Sequence, residues 1–504
     1  MERWQAITAV VGGYLLLTLT IGLLAGRRAS HGVTGYVAAD RQFGLLPLYF
    51  VVGGTIFSAF AFLGGPGWAY SRGAAVFYIL SYGVLGIAPW YYVAPKAARL
   101  GRRFGFVTQA QLVVGRFPSR GLSALLALLT VAAFVPYLML QMSGAGIVFQ
   151  AVTEGHVPFW AGAALAYGVV TTYVLFGGAS AVGWTNVFEG VIMMVVAWGI
   201  GIYLPEMLYG GVTPMFERLA VERPELLTMP GLGPTGEPWS WGAYSTAILS
   251  SAIGFTMWPH LFMKAFTAKS DRTLRRTIVL FPTFQLFLVP LFLVGFAGVL
   301  FPSAPPQPDA ILPHMILQTG LPTLVVGLFC AGALAASMST GDALLHGAAS
   351  VAIEDGIHPF VRLGERARRM LMQVLVLAVG GIAYYLAIIQ QRSLVWLLLT
   401  AYGIVDQLAP PIYATLFWKR ATTSGVVAGL VAGLVTNIFF LIFAEMRPFD
   451  IHEGILGVIV NTMVLVAVSL MTPAQSDTHT ATYVDAGRRT DARAGHRTAG
   501  VRAV

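Results

Sequence analysis

The chain has 504 residues, 57% of them apolar and only 11% charged, and its mean hydropathy is +0.73. A soluble domain carries about 25% charged residues because its surface faces water, so this composition excludes a water-soluble globular protein. The net charge of +9 would suit a nucleic-acid binder, but the cations fall in alternate loops between apolar runs, which is a membrane pattern.

A helical span needs about 20 apolar residues, because about 30 Å of hydrocarbon is crossed at about 1.5 Å per residue. About thirteen runs meet that requirement. In chain order they are 4–25, 44–69, 74–94, 122–152, 159–176, 181–204, 241–266, 278–301, 321–353, 370–389, 394–418, 424–444 and 454–471. The first has no small-residue cleavage site before Arg27 and Arg28, so it is expected to stay in the mature chain. The short alternating segments of a membrane barrel are absent, which leaves an all-α bundle. The single cysteine, Cys330, lies in an apolar run and reads as packing. The nine histidines are scattered, and no metal-ligand cluster, nucleophile motif or phosphate loop appears. An enzyme is not expected, nor a cofactor.

Loop charges orient the spans. One set of loops carries Arg27, Arg28 and Arg41, then Lys96 to Arg120, then Lys264 to Arg276, Arg362 to Arg369, Lys419 and Arg420, and the tail arginines from Arg488 onward. The other set carries only Arg3, Arg72, Arg218, Arg223, Arg392 and Arg447. Cytoplasmic loops hold the excess of Lys and Arg, which puts the N-terminus outside and the C-terminus in the cytoplasm of a plasma-membrane protein. The outward loop 209–240 is acidic, and the tail 473–504 is polar and basic and reads as disordered.

Two spans are built to be interrupted. The second contains Gly53-Gly54-Thr55-Ile56-Phe57-Ser58 and ends in Gly64-Gly65-Pro66-Gly67. The seventh contains Ser250-Ser251-Ala252-Ile253-Gly254-Phe255 followed by Trp258-Pro259-His260. Glycine and proline permit helix breaks, and unwound carbonyls at mid-membrane hold cations. These spans lie five apart, the interval of a five-plus-five inverted repeat with discontinuous first and sixth core helices. The ninth span adds Ser337-Met338-Ser339-Thr340-Gly341-Asp342. Its hydroxyls and carboxylate suit a hard cation. Asp342 is a coupling or gating candidate, expected late in the span towards the cytoplasmic mouth. Asp406, before Pro410-Pro411, is a second candidate, because an intramembrane acid has a function or a partner. Glu189 begins the sixth span and reads as solvated near the cytoplasm.

At these residues the chain resembles the sodium:solute symporter family, which includes bacterial sodium/proline, pantothenate and monocarboxylate symporters. The resemblance runs through Ala39-Asp40-Arg41-Gln42-Phe43-Gly44, Gly177-Gly178 with Val182-Gly183-Trp184-Thr185, Trp258-Pro259-His260, Met338-Ser339-Thr340 and Leu416-Phe417-Trp418-Lys419-Arg420. It implies a sodium site formed by backbone carbonyls of Gly54, Phe57 and Ala336 with the hydroxyls of Ser339 and Thr340. It implies a solute contacted by Ser58, Phe60, Ser251 and Phe255, and a basic cytoplasmic-gate position at Arg41. The chain departs from the family at Asn186, where an acid is common, and at Ile56, Ser251 and Phe255, where the proline symporter differs. A proline-type pocket is therefore not expected. No lysine or arginine lies at mid-span, so a compact monocarboxylate would be held by helix N-termini and hydroxyls.

The expected protein is a sodium-coupled symporter of a small organic solute, with Na⁺ and lipid as its partners and no obligate protein partner. The expected organisation is a first helix and loop (1–43), an inverted-repeat core (44–418), two further helices (419–472) and the tail. The alternatives are proton coupling through Asp406 or Asp342 to an amino acid or pantothenate-like solute, and a transporter-like sensor that signals through a separate partner.

Overall fold

The computed structural model describes residues 2–27, 32–389 and 394–486. Arg28, Arg392 and the tail arginines from Arg488 onward, counted above among the loop charges, lie outside them. Among the described residues there is no strand, only two isolated bridges, and the architecture is a helical bundle.

Among the described residues, eight helices are long and apolar enough to cross a membrane, and a bent pair makes nine. The difference from about thirteen has identifiable causes. Helices Leu45–Ile56 and Phe60–Ile87 meet at 59° and hold two expected spans. The expected spans 241–266 and 394–418 are cut into short pieces, the longest being Trp241–Phe255 and Leu394–Val405. The segment Phe159–Tyr209 is two helices joined end to end at Gly178, where φ is 51° and ψ is −142° and the chain folds back. Only glycine takes that backbone conformation without strain. Tyr173 and Thr185 lie on either side of the fold, and both meet Gly22 of the first helix, Arg3–Gly26. In a straight helix they would stand about 18 Å apart. The segment is therefore a helical hairpin, and it carries the two spans expected there.

Small residues let the first helix seat against that hairpin. A Cβ on Gly26 would lie 2.4 Å from the Cα of Gly177, and one on Gly22 would lie 2.7 Å from Tyr173 Cβ. Close backbone approach of this kind gives lipid-embedded helices their dispersion contacts, since lipid supplies no hydrophobic drive between them. The hairpin, the helix Arg120–Val152 and the helix Thr323–Val351 then surround the first broken span and fix its surroundings.

One expectation is overturned. Within the tail read as disordered, Asp477–Val484 is a helix. Its order comes from docking rather than from its own sequence. Tyr483 stacks on Phe104 with centroids 5.8 Å apart, and Gln475 and His479 both reach the carbonyl of Arg116, at 3.1 and 3.0 Å.

Gly177→Ala should lower the midpoint of thermal unfolding in detergent, with an overpacking cost of about 1–3 kcal/mol. Gly12→Ala, where an added Cβ meets nothing within 4 Å, is the control and should leave the midpoint unchanged. Equal melting of the two variants would refute the tight seam.

Candidate functional site

The first broken helix ends at Ile56, and Phe57 turns away from helical geometry at φ −92°, ψ 87°. The chain restarts on Ser58, whose carbonyl accepts from the amides of Ala61 and Phe62 at 2.9 and 3.1 Å and whose hydroxyl accepts from Phe60 at 3.2 Å. Backbone groups freed by the break find partners on the helix Arg120–Val152. The Ala59 amide donates to Gln141 Oε1 at 3.1 Å, and Tyr137 OH donates to the Ile56 carbonyl at 3.4 Å.

Opposite the break stands the helix Thr323–Val351. Ser339 Oγ and Thr340 Oγ1 both donate to the carbonyl of Gly54, at 2.9 and 3.3 Å, and Ser339 also reaches the Ala336 carbonyl at 3.3 Å. The structure thus brings Gly54, Ala336, Ser339 and Thr340 together, with Phe57 at the break itself. All are buried. Carbonyl and hydroxyl oxygens fit a hard monovalent cation, because each hydroxyl can rotate to offer a lone pair instead of a proton.

Of the expected solute contacts, Ser58, Phe60, Ser251 and Phe255 are all buried. Phe57 and Phe255 pack on one ring, Phe281, at 5.7 and 5.5 Å, so the two breaks share an aromatic wall. Of the other wall the sequence reading singled out Trp258 but missed Tyr137 and Tyr402. Trp258 lies 4.8 Å from Tyr137 and 5.5 Å from Tyr402, with His260 at 5.6 Å. Gln141 Nε2 and Ser251 Oγ are buried donors with no partner among the described residues. Gln141 had a visible signal, a lone amide in an apolar run.

Asp342 is fully buried and is not at a solvated mouth. Its carboxylate accepts from Tyr173 OH at 2.9 Å, Thr185 Oγ1 at 3.1 Å and Asn186 Nδ2 at 3.1 Å, all on the hairpin. Asn186 Oδ1 lies 3.1 Å from where a Cβ on Gly54 would stand, so Asn186 bridges the acid to the cation-ligand helix. Lys264, counted above as a loop cation, is only 5% exposed in the short helix Lys264–Thr267, and its attraction acts on Asp342. Glu189 is likewise buried rather than solvated, with Tyr14 OH at 3.4 Å from Oε1.

Asp406 stands elsewhere. It accepts from Ser250 Oγ on the second broken span and packs against Gly254 and Gly454. Arg41 spans the ends of the two broken helices. Its guanidinium donates to the Phe266 carbonyl at 3.2 Å and the Phe106 carbonyl at 2.9 Å. Beside it, the Phe43 amide donates to Thr267 and the Lys269 amide to Phe43, each at 3.0 Å.

The model of the "Sodium:solute symporter family" matches residues 36–433. An uncharacterised symporter of Bacillus subtilis, YhjB, is 29% identical and aligns over 93% of this chain and 97% of its own length. A monocarboxylate transport permease of Rhizobium johnstonii is 25% identical over 92% and 96%. The solved structure of a Na⁺-coupled sialic acid symporter in a substrate-bound, outward-open state superposes with a TM-score of 0.78 at 19% identity, covering 93% of this chain and 99% of that one. That likeness shows the fold.

Asn186→Asp sets a second carboxylate against Asp342 Oδ2 and should destabilise the protein by about 3–5 kcal/mol, as an unpaired buried charge does. Adding Asp342→Asn should restore most of the loss. Thermal unfolding of the two single variants and the double variant measures the coupling, and strict additivity would show that the two side chains do not interact.

Proposed function

The chain belongs to the sodium:solute symporter family, and on that premise we propose that it imports a small organic acid, a monocarboxylate, down the inward sodium gradient. The observation that carries the sodium site is the convergence of the Ser339 and Thr340 hydroxyls on the Gly54 carbonyl, beside the break at Phe57. An ion held by Gly54, Phe57, Ala336, Ser339 and Thr340 ties the first broken helix to the Thr323–Val351 helix. Without the ion that tie weakens, and the broken helix is free to swing. Coupling follows, because the solute packs on the same break through Ser58 and Phe60 and on the second broken span through Ser251 and Phe255.

The solute class is supported by the donors left over in the site. Gln141 Nε2 and Ser251 Oγ are buried and have no partner among the described residues. The surrounding walls are aromatic. A compact body with a carboxylate satisfies both, and a sugar, which needs many polar partners, does not. One relative carries the name of a monocarboxylate permease. The basic loops place Arg41 on the cytoplasmic side, where it closes the path below the site, and Asp342, Asn186 and Asp406 act in gating or coupling.

Reconstituted protein should accumulate one labelled compound from a panel of monocarboxylates, amino acids and pantothenate when an inward sodium gradient is applied, and a monocarboxylate is the expected hit. Ser339→Ala or Thr340→Ala should raise the sodium concentration for half-maximal uptake by about tenfold, the equivalent of about 1.4 kcal/mol for one lost ion–oxygen contact. Accumulation under a proton gradient in sodium-free buffer, with both variants behaving like the parent, would reject the sodium assignment.

A further inference from the structure

The segment after the last span makes contacts that packing alone does not require. The helix Asp477–Val484 and the residues around it hold three separate cytoplasmic elements. The first is the helix Trp90–Phe104. Its Lys96 Nζ donates to the Val484 carbonyl at 2.9 Å and to the Leu416 carbonyl at 3.0 Å, its Arg99 donates to the Ala486 carbonyl at 3.1 Å, and its Phe104 stacks on Tyr483 with planes 8° apart. The second is the helix Gln109–Arg116, where the Arg116 carbonyl receives both Gln475 and His479. The third is the end of the helix Ala409–Phe417, where Lys419 pairs with Asp485 at 2.8 Å.

These elements belong to parts that must separate. Gly101 of the helix Trp90–Phe104 packs on Phe266, at the cytoplasmic end of the second broken span, and Arg99 also pairs with Asp271 just beyond that end. Arg116 instead leads within a few residues into the helix Arg120–Val152, which holds the break of the first span. A segment bonded to both sides resists their separation.

We propose that residues 473–486 form a strap that restrains cytoplasmic opening, so that its release sets the rate of the inward-facing step. Apart from the Phe104–Tyr483 stack, the contacts are half-buried hydrogen bonds to backbone carbonyls and one exposed ion pair. Such bonds are individually weak and reversible, as a releasable restraint requires. The proposal rests on transport by alternating access but not on the identity of the solute.

The test uses the full chain carrying Phe104→Cys and Tyr483→Cys. The one native cysteine, Cys330, is buried and does not compete. Formation of the disulfide is confirmed by mass. Hydrogen–deuterium exchange is then read at residues 259–269, the cytoplasmic end of the second broken span. Oxidation should slow exchange there severalfold, and reductant should restore it. Removing residues 473–504 should raise exchange at the same residues severalfold. In vesicles, oxidation should cut sodium-driven uptake of the accumulated compound severalfold, and truncation should raise it. If the disulfide forms and neither exchange nor uptake changes, the strap is refuted. If truncation lowers uptake and oxidation leaves it unaltered, the segment is only a packing element and the proposal again fails. Absence of sodium-driven uptake in the parent chain would count against the transport reading, while the exchange arm would still decide the strap.

Discussion

A helix broken inside a membrane exposes carbonyl and amide groups that lipid cannot satisfy, and everything around the site answers that constraint. Each such group costs several kcal/mol if left alone, so a break is tolerated only where protein encloses it. Here the Gly54 carbonyl is met by two hydroxyls, the Ile56 carbonyl by Tyr137 and the Ala59 amide by Gln141. The enclosing helices must in turn be fixed to one another. Ser337 Oγ donates to the Gln141 carbonyl at 2.7 Å, and Tyr167 OH donates to the Ser337 carbonyl at 3.1 Å, which links the helices Arg120–Val152 and Thr323–Val351 to the hairpin. The two hydroxyls on the Gly54 carbonyl are also those proposed to hold an ion, so on that reading ion binding and the helix contact draw on the same oxygens.

The parts legible in the sequence were those written locally. Gly53-Gly54 before Phe57 and Gly254 before Pro259 announce interruptions, since glycine and proline weaken a helix wherever they stand. Ser339-Thr340 announces oxygen ligands in an otherwise apolar run. Gly177-Gly178 separated two expected spans, and the structure folds the hairpin at Gly178. What escaped were properties that depend on which distant surface covers a residue. Lys264 looked like a loop cation because it follows an apolar run, yet it is buried with its charge acting on Asp342. Glu189 looked solvated because it begins a span, yet Tyr14 of the first helix covers it. The tail helix escaped for a related reason. An eight-residue polar segment has little helical stability alone. It is ordered by Phe104 and Arg116, which stand more than 300 residues earlier in the chain.

The solute side shows the same division. Ser251 and Phe255 were solute candidates through the family resemblance, and both are buried, Phe255 against Phe281. The wall formed by Tyr137, Trp258 and Tyr402 could not be assembled in advance, because its members come from three spans whose rotations are set by packing. Asp406 shows the limit of reasoning from composition. A lone acid before two prolines reads as a gating or coupling candidate, but the sequence does not show which groups meet it. Its carboxylate accepts from Ser250 on the second broken span and packs against Gly454 of the last helix.

Asn186 and Asp342 carry the argument furthest. Resemblance to the family led to an acid at position 186, and its replacement by an amide suggested that a charge had been lost from the inner path. The geometry shows an acid facing that amide from the neighbouring helix Thr323–Val351. Asn186 Nδ2 donates to Asp342, and Tyr173 and Thr185 from the two arms of the hairpin complete the carboxylate's surroundings. An amide is the side chain that this position now needs. It offers a donor to the Asp342 carboxyl group and turns its oxygen towards Gly54, where a second carboxylate would repel the first. Charge at this depth is costly, so one acid met by three donors is favoured over two acids side by side. The amide at 186 and the acid at 342 thus form one hydrogen-bonded pair across two helices.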